Sequence, residues 1–341
     1  MKQAILIKSG NIEIRDVPTP EPSEGEVVVK INTALTCGTD LKAYVRGHNL
    51  IPMPGPFGHE YSGKVSKTGK GVTQFKEGDD VMGVHSAPCL HCIYCKKGIY
   101  NLCETIMDQK VLGAFAEYMV LPERVVKQNF FHKPPQLAFA IAALLEPLSC
   151  VVHPYNKLNM DEIETALVIG AGPIGLMHLA YLKLKGIKVI VSDFIDDRLE
   201  LAADMGASSA VVPKAVRNVI DIMTGNAGVD LVIECTGQQG VWEKSVSYVR
   251  RGGTIVLFGG CASGTTVSYD AARLHYDELT LMGSFHFTPS DVKKAYEIIV
   301  GNKLDLSMLI SGEYLLDNID KAFALLEQGV GIKYAVRPYK I

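Results

Sequence analysis

The pattern of apolar and polar positions divides the chain in two. From about residue 150 onward, near-continuous apolar runs alternate with helical stretches. "TALVIGAGPIGLMHLAYLKLKGIKVIVSD" (165–193) reads as an apolar strand, a glycine turn, a helix and a second apolar strand. "VDLVIECTG" (229–237), "GGTIVLFGG" (252–260) and "LTLMGSF" (279–285) continue the series of buried strands. Strands without polar alternation are covered on both faces, so this half predicts a parallel, doubly wound α/β sheet. "PSDVKKAYEIIVGNKLDL" (289–306) and "NIDKAFALLEQG" (318–329) predict amphipathic helices.

The first third has a different texture. "EVVVKINTAL" (26–35), "EYSGKVSKTG" (60–69) and "DDVMGV" (79–84) are strand candidates. Pro- and Gly-rich stretches separate them, with "EPSEGE" and "FKEGD" as polar turns. An all-β, barrel-like unit carrying loops is expected here.

At 341 residues the chain has room for two domains, and 48% hydrophobic against 21% charged residues describes a soluble globular protein. A net charge of −3 gives no electrostatic reason to expect nucleic acid or an anionic membrane as partner. The longest apolar run, "LAFAIAALL" (137–145), is about half of a bilayer span. The N-terminal segment has no long apolar core or small-residue cleavage site. A cytoplasmic protein is the expectation.

Within that compartment the cysteines change the picture. Cys89, Cys92, Cys95 and Cys103 fall in "APCLHCIYCKKGIYNLC" with C-x2-C-x2-C-x7-C spacing, while Cys37, Cys150, Cys235 and Cys261 are scattered. Reducing conditions disfavour a disulfide framework. Two residues between thiolates let one turn aim both sulfurs at one point, and four sulfurs make a closed tetrahedral site, so structural zinc is the reading. An iron–sulfur run of this type ends in x3 and Cys-Pro, and a thioredoxin-like pair belongs near a βαβ unit. His91 sits inside the cluster, but four sulfurs already fill the coordination shell.

The segment Gly170-Ala171-Gly172-Pro173-Ile174-Gly175 fits GxGxxG between a strand and a helix, the context that makes the motif a dinucleotide site. Gly170 permits the turn, Gly172 lets backbone approach a pyrophosphate, and Gly175 lets helix pack on strand. Asp193, at the end of the next strand, can accept hydrogen bonds from the adenosine ribose and repel a 2′-phosphate, favouring NAD over NADP. Arg198 lies farther along, in the next predicted helix, as a further cofactor-side candidate.

A closed four-sulfur site does no chemistry. Cys37 in "TCGTD", His59-Glu60 in "GHEYSG" and Glu146 in "LLEPLSCVVH" are a separate set of mixed donors. Each alone has a bland reading, a core cysteine or a surface pair. Three such ligands with an open position describe a catalytic zinc.

Together, "CGTD" (37–40), "GHEYSG" (58–63), the four-cysteine lobe, "FAEYMVLP" (115–122), "EPLSCVVH" (146–153) and "GAGPIG" (170–175) resemble the zinc-dependent medium-chain dehydrogenase/reductase family over essentially the whole chain. Glu60 and "EPLS" make it most similar to the polyol branch of sorbitol (L-iditol), butanediol, threonine and galactitol-phosphate dehydrogenases. The resemblance implies a GroES-like β-rich catalytic domain over 1–148 and 286–341, with the zinc lobe at about 87–104. A Rossmann NAD-binding domain would occupy 149–285.

The resemblance also implies two zinc ions per chain. One would sit on the four clustered cysteines. The other would be held by Cys37, His59 and Glu60, with Glu146 as fourth ligand or partner of a zinc-bound water. Thr39 resembles the relay hydroxyl that passes a proton towards the nicotinamide ribose. Members oxidise a secondary alcohol or polyol reversibly to a ketone, by hydride transfer to NAD from a zinc-bound alkoxide. They are usually dimers or tetramers.

Two positions depart from the pattern. Lys42 stands where many relatives have a histidine serving proton exit, with His48 nearby. His286-Phe287 stands where sorbitol dehydrogenases tend to have Arg-Tyr. Lys42, Tyr44, His286 and Phe287 are therefore the candidate substrate residues. Lys42 and His286 leave room for a sugar-phosphate substrate, and the family equally admits an L-threonine-type amino alcohol. A non-catalytic NAD-binding sensor is the reading from another class. Retention of Cys37, Thr39, His59, Glu60 and Glu146 together argues against it.

Overall fold

Strand Val27–Leu35 is buried along nearly its whole length and pairs on both edges. One edge meets Glu60–Thr68. The other is shared, by Tyr118–Leu121 at residues 27–30 and by Lys333–Arg337 at residues 34–35. The computed structural model that shows this describes residues 1–339; residues 340 and 341, which the expected division gives to the catalytic domain, lie outside the described residues. Asp80–Gly83, Phe130–His132 and Ile310–Leu315 complete a seven-stranded sheet. All its pairings are antiparallel except Ile310–Leu315 with Lys333–Arg337. The three strands expected in the first third are all present, shortened by a residue or two. The first sixteen residues form a hairpin, Lys2–Lys8 with Asn11–Asp16, extended by Gly55–Pro56.

The chain separates into two compact units. The first takes Met1–Cys150, Phe287–Lys303 and the chain from Leu309 onward; the second takes Val151–His286 and Leu304–Met308. His286 and the short Leu304–Met308 piece thus fall in the second unit, although the sequence assigns them to the first. C-terminal residues finish the core of the first unit. Phe323, from helix Ile319–Glu327, packs against Phe57, Phe115 and Tyr44, with ring centroids 5.5, 5.9 and 5.4 Å apart. Such pairs add about 0.5–1.5 kcal/mol each beyond burial. Helix Pro289–Val300 is fixed at its start by a capping box in which Thr288 and Asp291 bond each other's backbone N–H. It ends at Val300, short of the stretch to 306 that the apolar spacing suggests, because Gly301 and Asn302 follow.

The second unit holds six parallel strands in the order Ser209–Val211, Lys188–Ser192, Thr165–Ile169, Val229–Glu234, Val249–Leu257, Thr280–Gly283. Numbered from the first strand of the unit this is 3-2-1-4-5-6, the doubly wound order whose crevice lies beyond the first strand's carboxyl end. Helix Pro173–Leu184 is buried along most of its length, as a helix laid on a sheet requires. Among the described residues no helix is long and apolar enough to cross a membrane.

Candidate functional site

In the first unit, Cys37 ends the strand side of a turn and caps helix Gly38–Arg46. Its Sγ accepts a hydrogen bond from the Thr39 N–H at 3.5 Å. His59 and Glu60 stand at the start of strand Glu60–Thr68, and Glu146 lies in the first turn of helix Leu145–Tyr155. His59, Glu60 and Glu146 are all buried. Their ligand atoms lie within 4.8 Å of one another, as do those of Cys37, Asp40 and His59. His59 belongs to both triads, so one imidazole joins a sulfur side to a carboxylate side.

Burying this much charge has consequences. Burial opposes a charge on His59, but the Asp40 carboxylate and Cys37 beside it hold the imidazole's proton affinity well above its ordinary value. Burial pushes the Glu146 carboxyl up to about 7, against the opposing pull of His59. Burial also pushes Glu60 up, opposed by Lys333.

The four clustered cysteines form a second group with mutual distances within 4.8 Å, and all eight cysteines of the chain are free. Cys89 and Cys92 donate backbone N–H bonds to Cys103 Sγ (3.2 Å) and Cys89 Sγ (3.4 Å). The Cys95 N–H, among other donors, lowers the Cys92 thiol to about 6, while burial raises Cys95 to about 12. His91 turns its Nδ1 to the Cys89 carbonyl at 2.8 Å and is exposed, outside the sulfur cluster.

In the second unit, Gly170 follows strand Thr165–Ile169 with φ +98°, a left-handed conformation that glycine adopts without strain. A Cβ on Gly175 would meet the Gly170 carbonyl oxygen at 1.8 Å, so only glycine lets the helix sit this close to the turn. Gly172 caps that helix and Pro173 occupies its first turn, with Ile174 next. Asp193 accepts from Ala171 N–H (2.7 Å), Phe194 N–H (2.8 Å) and Ile195 N–H (3.0 Å), so its carboxylate ties the glycine turn to the following loop. A cavity of about 250 Å³ opens here, lined by Gly170, Asp193, Phe194, Pro213, Thr236 and Tyr248 among others. Arg198 lies in helix Asp196–Asp204 with its Nε buried and without a hydrogen-bond partner.

Residues 23–129 match the alcohol dehydrogenase GroES-like domain and residues 173–301 the zinc-binding dehydrogenase family. D-xylulose reductase A of Aspergillus oryzae is 32% identical, over 94% of this chain and 92% of its own. The sorbitol dehydrogenase of Bacillus subtilis is 30% identical over the same shares. The chain belongs to the zinc-dependent medium-chain dehydrogenase/reductase family. An alcohol dehydrogenase of Escherichia coli solved with NADH has the same fold, with a TM-score of 0.87, 28% identity and 99% of both chains covered. The fold is a GroES-like unit with a Rossmann unit, and the chain is an oxidoreductase using zinc and a nicotinamide cofactor.

Three residues in or beside this dehydrogenase's donor cluster escape a reading of its sequence. Asp40 is fully buried, with Oδ1 3.4 Å from His59 Nδ1 and Oδ2 without a hydrogen-bond partner. Its position three after Cys37 on one helix face is a signal that could have found it. Lys333, also fully buried, contacts both oxygens of Glu60 at 2.7 and 2.6 Å and the Thr36 carbonyl at 2.8 Å. His85 has Nδ1 3.4 Å from Glu146 Oε1 and packs its ring against His59. Nothing local in the sequence marks either of these two.

The candidate substrate residues fare differently. Tyr44 is half-buried, with its ring packed against Phe323 at the core of the first unit. Phe287 is buried against His85, ring centroids 5.8 Å apart. Lys42 and Thr39 are half-buried on helix Gly38–Arg46, and His286 sits at φ +62° where the chain leaves the second unit.

Proposed function

We propose that the chain catalyses the reversible, NAD-dependent oxidation of a secondary alcohol or polyol to a ketone, with one zinc at the open site and a second on the four-cysteine lobe. The observation that carries this is the pair of interlocking donor triads sharing His59, one thiol and three carboxylates around one buried imidazole. That set fits zinc: a sulfur, a nitrogen and oxygens are its mixed catalytic ligands, and Asp40 Oδ2 is a buried oxygen that lacks a partner. Cys37, His59, Glu60 and Glu146 would hold the ion. Of these, Glu60 must share its carboxylate with Lys333, so Cys37, His59 and Glu146 are the freer ligands. Zinc there supplies the Lewis acidity that makes a substrate hydroxyl give up its proton near neutral pH. NAD supplies the hydride acceptor.

The rest of the work falls to side chains. Asp40 fixes the orientation of the His59 ring, and Lys333 compensates the charge of Glu60. The Thr39 hydroxyl, two residues past Cys37, would relay the departing proton, accepting it while passing its own on towards the nicotinamide ribose. Asp193 supports NAD over NADP, since a carboxylate at the strand end repels a 2′-phosphate. On the lobe, the four cysteines and Ile106, with Tyr100 and Met107 packed beside them, make too small a core to order the segment by burial alone, which supports a structural ion. Free cysteines in this pattern suit a reducing, cytoplasmic setting, and a homodimer or homotetramer is the assembly proposed.

The test follows NADH formation over polyols, diols, L-threonine and sugar phosphates. Turnover of polyols or diols is expected. Silence across the panel from a protein that binds NAD and carries two zinc ions would favour a nucleotide sensor.

A further inference from the structure

Glu146 has one oxygen that two other side chains address. His85 Nδ1 lies 3.4 Å from Oε1, and the Cys150 thiol donates to the same Oε1 at 3.7 Å. Cys150 is one turn beyond Glu146 on helix Leu145–Tyr155, so the two side chains share a face by construction. His85 comes from a different element, the loop after strand Asp80–Gly83. Its place is set twice over: Val111 N–H bonds its carbonyl at 2.7 Å, and its ring lies edge-on between those of His59 and Phe287 at 5.0 and 5.8 Å. Both His85 and Glu146 are buried, so no bulk water competes for that oxygen.

We infer that His85 and Cys150 act as a clamp on Glu146, occupying Oε1 so that Oε2 is the oxygen presented to the metal. The inference rests on the reading of Glu146 as a metal-site residue. A carboxylate in a buried site can bind an ion through either oxygen or both, and ligand exchange between these modes loosens the grip. The thiol donates to Oε1 and the His85 ring sits 3.4 Å from the same oxygen, and together they restrict that freedom. His85 and Cys150 are positioning residues: neither belongs to a triad of mutually close ligand atoms, and each acts through the carboxylate. Groups that orient metal ligands in this way are worth about 10–100-fold in metal affinity.

The test measures Co2+ affinity at the open site by chelator competition on the full chain, with the four-cysteine site kept filled as a sign of correct folding. Cys150→Ala and His85→Phe should each weaken Co2+ binding by about 10–100-fold and shift its visible absorption bands. Cys150→Ser, which keeps a donor, and His85→Asn, which keeps a polar group at that place, should recover part of the loss. Cys150→Ala, which removes one sulfur, carries the test alone if His85→Phe does not fold. Affinity unchanged in Cys150→Ala, or lost equally in Cys150→Ala and Cys150→Ser, overturns the clamp. Cys37→Ser is the control: if it leaves Co2+ binding intact, the metal site itself is misread, whereas loss there without loss in Cys150→Ala rejects the clamp alone.

Discussion

Lys333 closes on Glu60 from 273 residues away in sequence, both side chains fully buried and the ammonium contacting both carboxylate oxygens. Removing the cation leaves a carboxylate stranded in the core, which costs about 3–5 kcal/mol. Lys333→Met should lose stability on that scale in urea unfolding of the metal-free protein. A loss below about 1 kcal/mol would show that Glu60 is accommodated without its partner.

The two sulfur sites should separate stability from turnover. Cys95→Ser is expected to lower the unfolding temperature or perturb assembly first, by about 2 kcal/mol or more, since a structural ion contributes directly to folding. Cys37→Ser should fold and retain the lobe's zinc while turnover disappears. Metal content and thermal unfolding read both variants, and a Cys95→Ser protein that folds normally yet is inactive would reverse the division.

Asp193 holds three backbone N–H groups as well as lining the cavity beside the glycine turn. Asp193→Ser should therefore do two things: lower the ratio of kcat/KM for NAD over NADP at least about tenfold, and destabilise the loop by about 1–3 kcal/mol. Equal turnover of NAD and NADP by the unmodified enzyme would contradict the specificity assigned to the carboxylate.

Glu146 gives the metal-free protein a distinctive pH response. Its carboxyl titrates near 4.5 when unfolded and is raised to about 7 when folded, so the folded state holds the proton more tightly. Stability from this group is full below about pH 4.5 and falls as pH rises to about 7, by an order-of-magnitude 3 kcal/mol. Unfolding of the metal-free chain compared with Glu146→Gln across that window isolates the effect. A constant difference between the two proteins would remove it, and added zinc should flatten the drop by stabilising the ionised form.

What the sequence reveals follows distance along the chain. The glycine turn, the cysteine lobe and the helix that starts at Cys37 are each written in a dozen neighbouring residues, where spacing alone dictates geometry. Strand limits at 27–35, 60–68 and 80–83 were legible because apolar runs there end at turn-forming residues. Lys333 was not legible: it opens the short strand Lys333–Arg337 and meets Glu60 only through a pairing made across the whole chain. His85 was hidden for the same reason. Tyr44 shares a helix face with Cys37 and Asp40 but stands a turn or more farther along, where its ring meets Phe323, a contact that only the folded chain makes visible. Asp40, on the Cys37 helix, is within reach of helical periodicity, which places it one turn from Cys37 on the same face.

The interrupted first unit also sets a timetable for synthesis. At about 5–20 residues per second, the ribosome needs roughly 14–55 s after making Glu60 before it makes Lys333, 273 residues later. During that interval the strand Val27–Leu35 has an open edge at residues 34 and 35, and Glu60 has no counter-ion. Apart from Leu304–Met308, the Rossmann unit is one continuous stretch of chain, complete well before the last strand exists. The nascent chain therefore passes through a stage in which its nucleotide-binding half can fold while its metal-binding half waits, a window in which a chaperone or early zinc delivery has something to protect.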